Sequence, residues 1–586
     1  MKKLLYLSSI LLLAACGNQE PPKEVKPVAQ DAEFELFKTH FLEELWKINP
    51  GWASYVGLHE YDSVLVIPNE ESRNAMIKSY KALQVALSQF SVGNLNSSNL
   101  TDYYLIENQL ASSLWYDEKF KSDQWNPANY GIAGSVSRLL NSRHDVLEVR
   151  LRAILARLKH SQAYYEQAQK NIISPTLEHT KLALIQSKGG LYSFGTNLKD
   201  SINVSTLSKK EKDLFMTRIE DSKTALNNYI TFLENKKEML ETIGNAKSFR
   251  IGKELFTQKF ELDINSHYSA DEIYEKALHR KKELHQQMIS ISDTLWSKYF
   301  TTKKPENQLE MVNNLIQEIA KKHCKRDEFI PTIKKQLPEL VAFVNEKDLL
   351  TQNSEKPLVV RATPLYMRGG GAGASVSSPG PFDKDADTYY NVTPLDDYSA
   401  EEAESYLREY NHYVLQVLNI HEAIPGHYTQ LVYSNESPSL IKSILGNGAM
   451  IEGWAVYSEL MMLEEGYDNS PEMWLMYSKW HLRVVCNTIL DYSIHTQNMS
   501  KEEAMNLMVN EAFQEQAEAD GKWRRATLSS VQLCSYFTGF TEIYDLRSEL
   551  KQVQGDQFNL KKFHEEFLSY GSSPVRYIRQ LMLDKK

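Results

Sequence analysis

A mainly α-helical body carrying one small patch of sheet is the fold class this chain predicts, on three observations. Apolar residues recur at three-to-four spacing through long stretches, as in Leu147-Glu-Val-Arg-Leu-Arg-Ala-Ile-Leu-Ala-Arg-Leu158 and around residues 70–90, 208–245, 271–298 and 307–322. β-Branched and aromatic residues gather at Thr388-Tyr-Tyr-Asn-Val-Thr393, which reads as a strand. A content of 42% hydrophobic and 11% aromatic residues over 586 positions is enough for more than one core. No internal repeat is evident.

The elements follow in order. Lys2 and Lys3 precede an apolar run from Leu4 to Ala15, interrupted by Ser8 and Ser9 and ending Leu13-Ala-Ala-Cys16. A basic start, a short apolar core and small residues before the cleavage point describe a secretory signal over residues 1–15. The run is too short to span a membrane. Its ending is similar to the bacterial lipobox, whose Cys is lipidated and becomes the mature N-terminus; an ordinary signal peptide cleaved nearby is the alternative. Lipid on Cys16 would anchor the chain in the bacterial cell envelope, and Gly17, which is no acidic retention signal, points to the outer membrane. Residues 16–32 are polar and contain Pro21, Pro22 and Pro27, as in a flexible tether.

The amphipathic helices then build a region expected to run from 33 to 350. Gly369-Gly-Gly-Ala-Gly-Ala-Ser-Val-Ser-Ser-Pro-Gly-Pro381 interrupts them, but it lacks the Lys-Ser/Thr ending of a phosphate loop, so a nucleotide is not expected. Ser399-Ala-Glu-Glu402 has the form of a capping box and starts a helix toward the motif described next. The formal net charge is −10, or −12 without residues 1–15, which carry two lysines and no acid. With no basic stripe, a nucleic-acid partner is not expected either. After Cys16, only Cys324, Cys486 and Cys534 remain, too few and too scattered for a disulfide framework, though one bridge is open to them.

The chemistry centres on His421-Glu-Ala-Ile-Pro-Gly-His427. Two imidazoles enclosing a Glu that directly follows the first is the ligand-plus-base pattern of zinc peptidases, but the usual spacing of four returns both rings to one helix face. A spacing of six leaves them about 120° apart on an ideal helix. Pro425 and Gly426 offer the remedy, since one lacks an amide donor and the other accepts unusual dihedrals. A broken turn there would bring His427 back beside His421.

Downstream, Glu452-Gly-Trp-Ala-Val-Tyr-Ser-Glu459 puts two carboxylates on one face of an apolar helix. Buried acids need a cation or a hydrogen-bond partner. Glu452 is the expected third zinc ligand and Glu459 the better-placed group to orient a ligand, although exchanging those roles contradicts nothing in the sequence. Asp491 and His495, and Gln532 and Tyr536, are two further pairs at helical spacing. Tyr536 and His495 are candidates to meet the oxyanion of a tetrahedral intermediate, with Asp491 and Gln532 as orienting groups.

The segments Leu418–His427, Glu452–Glu459 and Gln532-Leu-Cys-Ser-Tyr536 resemble successive signatures of the bacterial domain-of-unknown-function 885 family, regarded as zinc-dependent metallopeptidases. The likeness extends to Asn49–His59, Trp125–Tyr130, His179–Gln186 and Phe563–Gly571. Relatives commonly carry Pro-Gly before the Gln of the third signature, where this chain has Ser530-Val531. The resemblance implies a large helical zincin-like peptidase body with the small sheet next to the active-site helix and a central cleft. It implies Zn2+ on His421, His427 and Glu452, and Glu422 as the base that activates water against a peptide carbonyl. In zincins a sheet edge beside the active helix binds the substrate backbone, and residues 388–393 lie just upstream of the motif.

A catalytic region would then occupy 351–586, separate from 33–350 or forming one continuous body with it around a cleft that admits oligopeptides. Two other classes stand beside the peptidase: a non-catalytic peptide-binding lipoprotein that keeps the fold, and a zinc hydrolase of a non-peptide amide or ester.

Overall fold

The structure, a computed structural model, describes residues 29–244, 246–364, 373–383 and 386–583. The signal segment, Cys16, most of the tether and the start of the glycine-rich run lie outside them.

Every amphipathic stretch named above is a helix: Glu70–Leu87, Leu147–Leu158, Lys209–Ile243, Ala270–Tyr299 and Gln308–Ile319. Local chemistry marks their starts. Ser208 with Glu211 and Ser269 with Glu272 form reciprocal capping boxes that satisfy amides the first turn would otherwise leave open. Ser399 and Glu402 do the same for Ala400–Glu409. That helix stops at Tyr410, and the Asn411 side chain accepts the amides of Tyr413 and Val414 to start the next one, His412–Glu422.

Three apolar cores result. One joins residues between Phe34 and Leu114 to Ile441, Ile444 and Leu445. A second gathers Tyr130 to Leu233, and the largest runs from Phe256 to Met582, crossing residue 350. A buried ion cluster fastens the 439–445 segment into the first: Asp102 receives Lys442 at 2.6 Å, Lys38 at 2.8 Å and the Ser439 hydroxyl at 2.8 Å. Charges taken from water in this way need such complete pairing.

The sheet has three strands, β1 (Leu358–Ala362), β2 (Ala374–Ser377) and β3 (Thr388–Val392), in the order β1-β3-β2. β1 runs parallel to β3, with Leu358 opposite Thr388, and β2 antiparallel, with Ala374 opposite Val392. The expected strand is therefore the middle one. Its backbone is bonded on both sides, so the sheet edges belong to β1 and β2 and not to residues 388–393. β2 lies against the helix His412–Glu422, and β3 is pinned to it by the buried Tyr390 hydroxyl, which donates to Asn419 Oδ1 at 2.9 Å.

Four helices of the large core surround the motif: His412–Glu422, Gly448–Glu464, Pro471–Gln497 and Ser535–Gln554. Cys324, Cys486 and Cys534 are all free thiols. Among the described residues no helix is long and apolar enough to cross a membrane.

Candidate metal centre

The helix that carries His421 ends one residue later, at Glu422, and a new helix starts at His427. Between them Ala423 leaves helical geometry, the Ile424–Pro425 peptide is cis, and the Gly426 amide bonds the Ile420 carbonyl six residues back at 3.0 Å. Only glycine fits there: a Cβ on Gly426 would lie 2.0 Å from the His421 carbonyl oxygen and 2.3 Å from that of Ile420. The neighbouring helix helps hold the turn, because the buried Trp454 indole donates to the Pro425 carbonyl at 2.8 Å. The chain folds back so that the His421 and His427 rings lie 4.7 Å apart and nearly perpendicular, at 85°.

Glu452 completes the group. Its Oε2 lies 3.8 Å from His421 Nε2 and 3.4 Å from His427 Nε2, and one donor atom from each of the three residues falls within 4.8 Å of the others. These separations are long for hydrogen bonds. They approximate the edges of a tetrahedron, since metal–ligand bonds of about 2.0–2.2 Å place neighbouring donors about 3.3–3.6 Å apart. Glu459 sits behind His421: its Oε1 accepts from Nδ1 at 2.6 Å and from the Trp480 indole at 3.0 Å. That bond fixes the ring and leaves Nε2 facing Glu452. Glu459 thus takes the orienting position and Glu452 the one that faces both imidazoles, a distinction the sequence left open.

The electrostatics favour a cation. Burial disfavours charge on His421, yet the bond from Glu459 and the charges of Glu459, Glu422 and Glu452 lift its pKa to about 9. Burial pushes Glu452 up, but His427, His421 and Arg525 together bring it below the ordinary carboxylate value. Burial raises Glu459, with His421 and Trp480 opposing. His427 Nδ1 and Glu459 Oε2 are buried without a described partner. The donor set of two imidazoles and a carboxylate, crowded by further carboxylates, fits Zn2+.

The Asp491 and His495 pair does something else. His495 is not brought to the cluster: its Nε2 donates to the Ala526 carbonyl at 3.1 Å and that of Ser529 at 2.9 Å, and its ring packs on Phe249 and Phe256. Burial pushes its pKa down to about 4 despite those carbonyls. Asp491 likewise orients no ligand. Its two oxygens accept the amides of Val531 and Leu533 at 3.0 and 2.9 Å, and burial still raises its pKa to about 7. The pair shares a helix face as its spacing implied, but that face clamps the loop after residue 525.

The clamp explains the departure at Ser530-Val531. Val531 adopts φ +71°, in the left-handed region that favours glycine. A left-handed β-branched residue costs about 1–2 kcal/mol, and the Asp491 bond and complete burial of the Val531 side chain offset it. The turn presents Gln532 and Tyr536, and both accept from an arginine that carries no motif of its own: Arg525 Nη2 donates to Gln532 Oε1 at 2.7 Å and to the Tyr536 hydroxyl at 2.9 Å. Tyr536 is electrostatically coupled to Glu452: burial raises its pKa first, and the Glu452 charge raises it further. Their helices touch backbone to backbone, as a Cβ on Gly539 would lie 1.7 Å from the Ala449 carbonyl oxygen and one on Gly453 2.4 Å from Gly539 Cα. Gly453 and Gly539 are therefore what lets Glu452 and Tyr536 share a site.

A second group of two histidines and an acid exists, His59, Asp62 and His144. Asp62 Oδ2 accepts from His59 Nδ1 at 3.0 Å and lies 3.2 Å from His144 Nε2, while Ser54 donates to Oδ1. The two rings stack at 3.3 Å and 6°. Imidazole lone pairs lie in the ring plane, so a cation shared by these rings would sit half the stacking distance out of both planes. Two cavities, of about 470 Å³ beside Tyr104 and Tyr577 and about 360 Å³ beside Leu184 and Glu234, contain no residue of either group.

The family model for a bacterial protein of unknown function, DUF885, matches residues 50–582. A presumed lipoprotein of unknown function from Shewanella oneidensis is 53% identical, with 94% of this chain and 99% of that one aligned at a TM-score of 0.86. A presumed lipoprotein from Colwellia psychrerythraea is 17% identical over 95% of this chain and 100% of its own, and its TM-score of 0.78 shows a shared fold. No curated protein matches.

Proposed function

The chain belongs to the DUF885 family of bacterial proteins, and on that premise we propose that it is a zinc-dependent metallopeptidase of oligopeptides, tethered to the cell envelope, at the outer membrane, through lipid on Cys16. The relatives' description as presumed lipoproteins supports the tether. The observation that carries the activity is the convergence of His421, His427 and Glu452 with Glu422 at the end of the same helix.

Zinc held by His421, His427 and Glu452 would supply a Lewis acid that lowers the pKa of a water molecule and polarises the scissile carbonyl. Glu422 makes no hydrogen bond or ion pair with a described residue, so its carboxylate is free to work. It takes one proton from the attacking water as the carbon–oxygen bond forms. It then delivers that proton to the amine as the carbon–nitrogen bond breaks. Tyr536 donates its hydroxyl hydrogen to the carbonyl oxygen as negative charge gathers there, and Arg525 polarises that hydroxyl from behind. His495 and Asp491 act on Tyr536 only through the loop they clamp. The edge of β2 that no described strand pairs with, beside the motif helix, takes the substrate backbone as an added strand.

Glu422→Gln tests the assignment. The variant is expected to keep its zinc, measured by elemental analysis after dialysis, and to lose about a thousandfold in peptide turnover. Unchanged turnover removes Glu422 as the base.

A further inference from the structure

Arg525 stands out as a cation in direct contact with neutral groups, its charge reaching Glu452 only at longer range. Its Nη2 is occupied by two neutral acceptors, Gln532 Oε1 and the Tyr536 hydroxyl. It lies on the helix Gln516–Leu528, whose nearby acid, Glu518, is taken by Arg483 at 2.5 Å and by Lys522 at 3.7 Å. Arg525 makes no ion pair with any described carboxylate, and its residue is exposed to solvent. The guanidinium also lies 5.8 Å from the Tyr536 ring centre, within reach of a cation–π contact.

A cation held in this way is matched only when an anion meets it. A guanidinium held by neutral groups keeps its full charge, and with both Nη2 hydrogens given to Gln532 and Tyr536, the Nη1 and Nε hydrogens remain to donate a charge-assisted bond to a carboxylate. The same Nη2 that holds its neighbours lies 2.9 Å from the hydroxyl placed to meet the scissile carbonyl. An anion on the remaining nitrogens therefore sits within about one or two residues of the reacting carbon, since each residue of an extended chain spans about 3.3–3.6 Å. The anion that a peptide of any sequence supplies there is its C-terminal α-carboxylate.

We propose that Arg525 receives the free C-terminal carboxylate of the substrate, so that the enzyme cleaves within one or two residues of peptide C-termini. The assignment rests on the peptidase reading above and names its substrate class. Gln532 is then a positioning residue, holding the guanidinium through Oε1.

Matched acetylated tripeptides with a free carboxylate or a C-terminal amide test it on the zinc-loaded full chain. The wild type is expected to cleave the acid with kcat/KM about 10- to 100-fold above the amide, the range of one charge-assisted pair. Arg525→Met is expected to collapse that ratio to within about threefold, chiefly through KM, and Arg525→Lys to restore part of it. Calorimetry of the two peptides on Glu422→Gln should show the same preference without turnover. Equal cleavage of acid and amide by the wild type, or an acid preference retained in Arg525→Met, overturns the assignment and leaves the peptidase standing. Failure to cleave either peptide overturns the peptidase reading and the assignment together.

Discussion

Two groups in this molecule have the same composition, two histidines and one acid, and opposite geometry. Around Glu452 the imidazoles are nearly perpendicular, at 85°, and stand 3.4 and 3.8 Å from one carboxylate oxygen, too far for good hydrogen bonds and well spaced for a shared cation. Around Asp62 they are parallel at 6° and lie 3.0 and 3.2 Å from the oxygen, at hydrogen-bond distance. Residue type therefore does not make a metal site. The direction of the lone pairs does, and a broken turn sets it in one case while ring stacking cancels it in the other.

Zinc content tests the contrast most strongly. His427→Ala is expected to lower zinc affinity by well over the roughly 100-fold that an outer partner contributes, while His144→Ala leaves the bound stoichiometry unchanged by elemental analysis. Loss of zinc from His144→Ala would erase the distinction between the two groups. A smaller effect is expected from Glu459→Gln, which keeps an acceptor for His421 Nδ1 but removes its charge: zinc affinity falls about 10- to 100-fold in a competition titration against a chelator. An affinity equal to wild type would mean that Glu459 does not orient His421.

The smallest effect concerns stability at the stacked group. Burial, then the positive charge of His59, depresses the His144 pKa below its ordinary 6.5. The unfolded chain then binds more protons than the folded one, so stability is present above pH 6.5 and lost as the pH falls through the folded value. Zinc-free protein should show a Tm that declines on acidification below pH 6.5, with a shallower decline in His144→Gln. Equal slopes would show that the stack carries no proton-linked stability.

Much of the site was legible in the chain. Spacing alone marked Pro425-Gly426 as the place where the helix must break, because six residues cannot return two rings to one face. The Glu452/Glu459 pair was legible for the same reason, as two acids on one apolar face. Their division of labour was not, since helical periodicity makes the two equivalent until Trp480 and His421 choose Glu459. Periodicity put Asp491 and His495 on the right face but not in the right role. A helix face has no label for what packs on it, and here it is the loop from Ala526 to Leu533. Arg525 carried no sequence signal, because one exposed arginine on a polar helix looks like any other. The strand at 388–392 was legible as a strand, while its position in the middle of the sheet depends on β1 and β2 pairing with it.

By itself the sequence determined what is local: the long helices and their capping boxes, the strand, and the motif whose spacing forces a break. Backbone periodicity and caps act over a few residues, and the chain carries them wherever it goes. Only the tertiary structure decided what faces what. The 2.0 Å clearance that demands Gly426, the Gly453–Gly539 contact that brings Glu452 to Tyr536, and the ring angles that separate one histidine pair from the other are set by close packing between distant segments, where a fraction of an ångström has no counterpart in residue order.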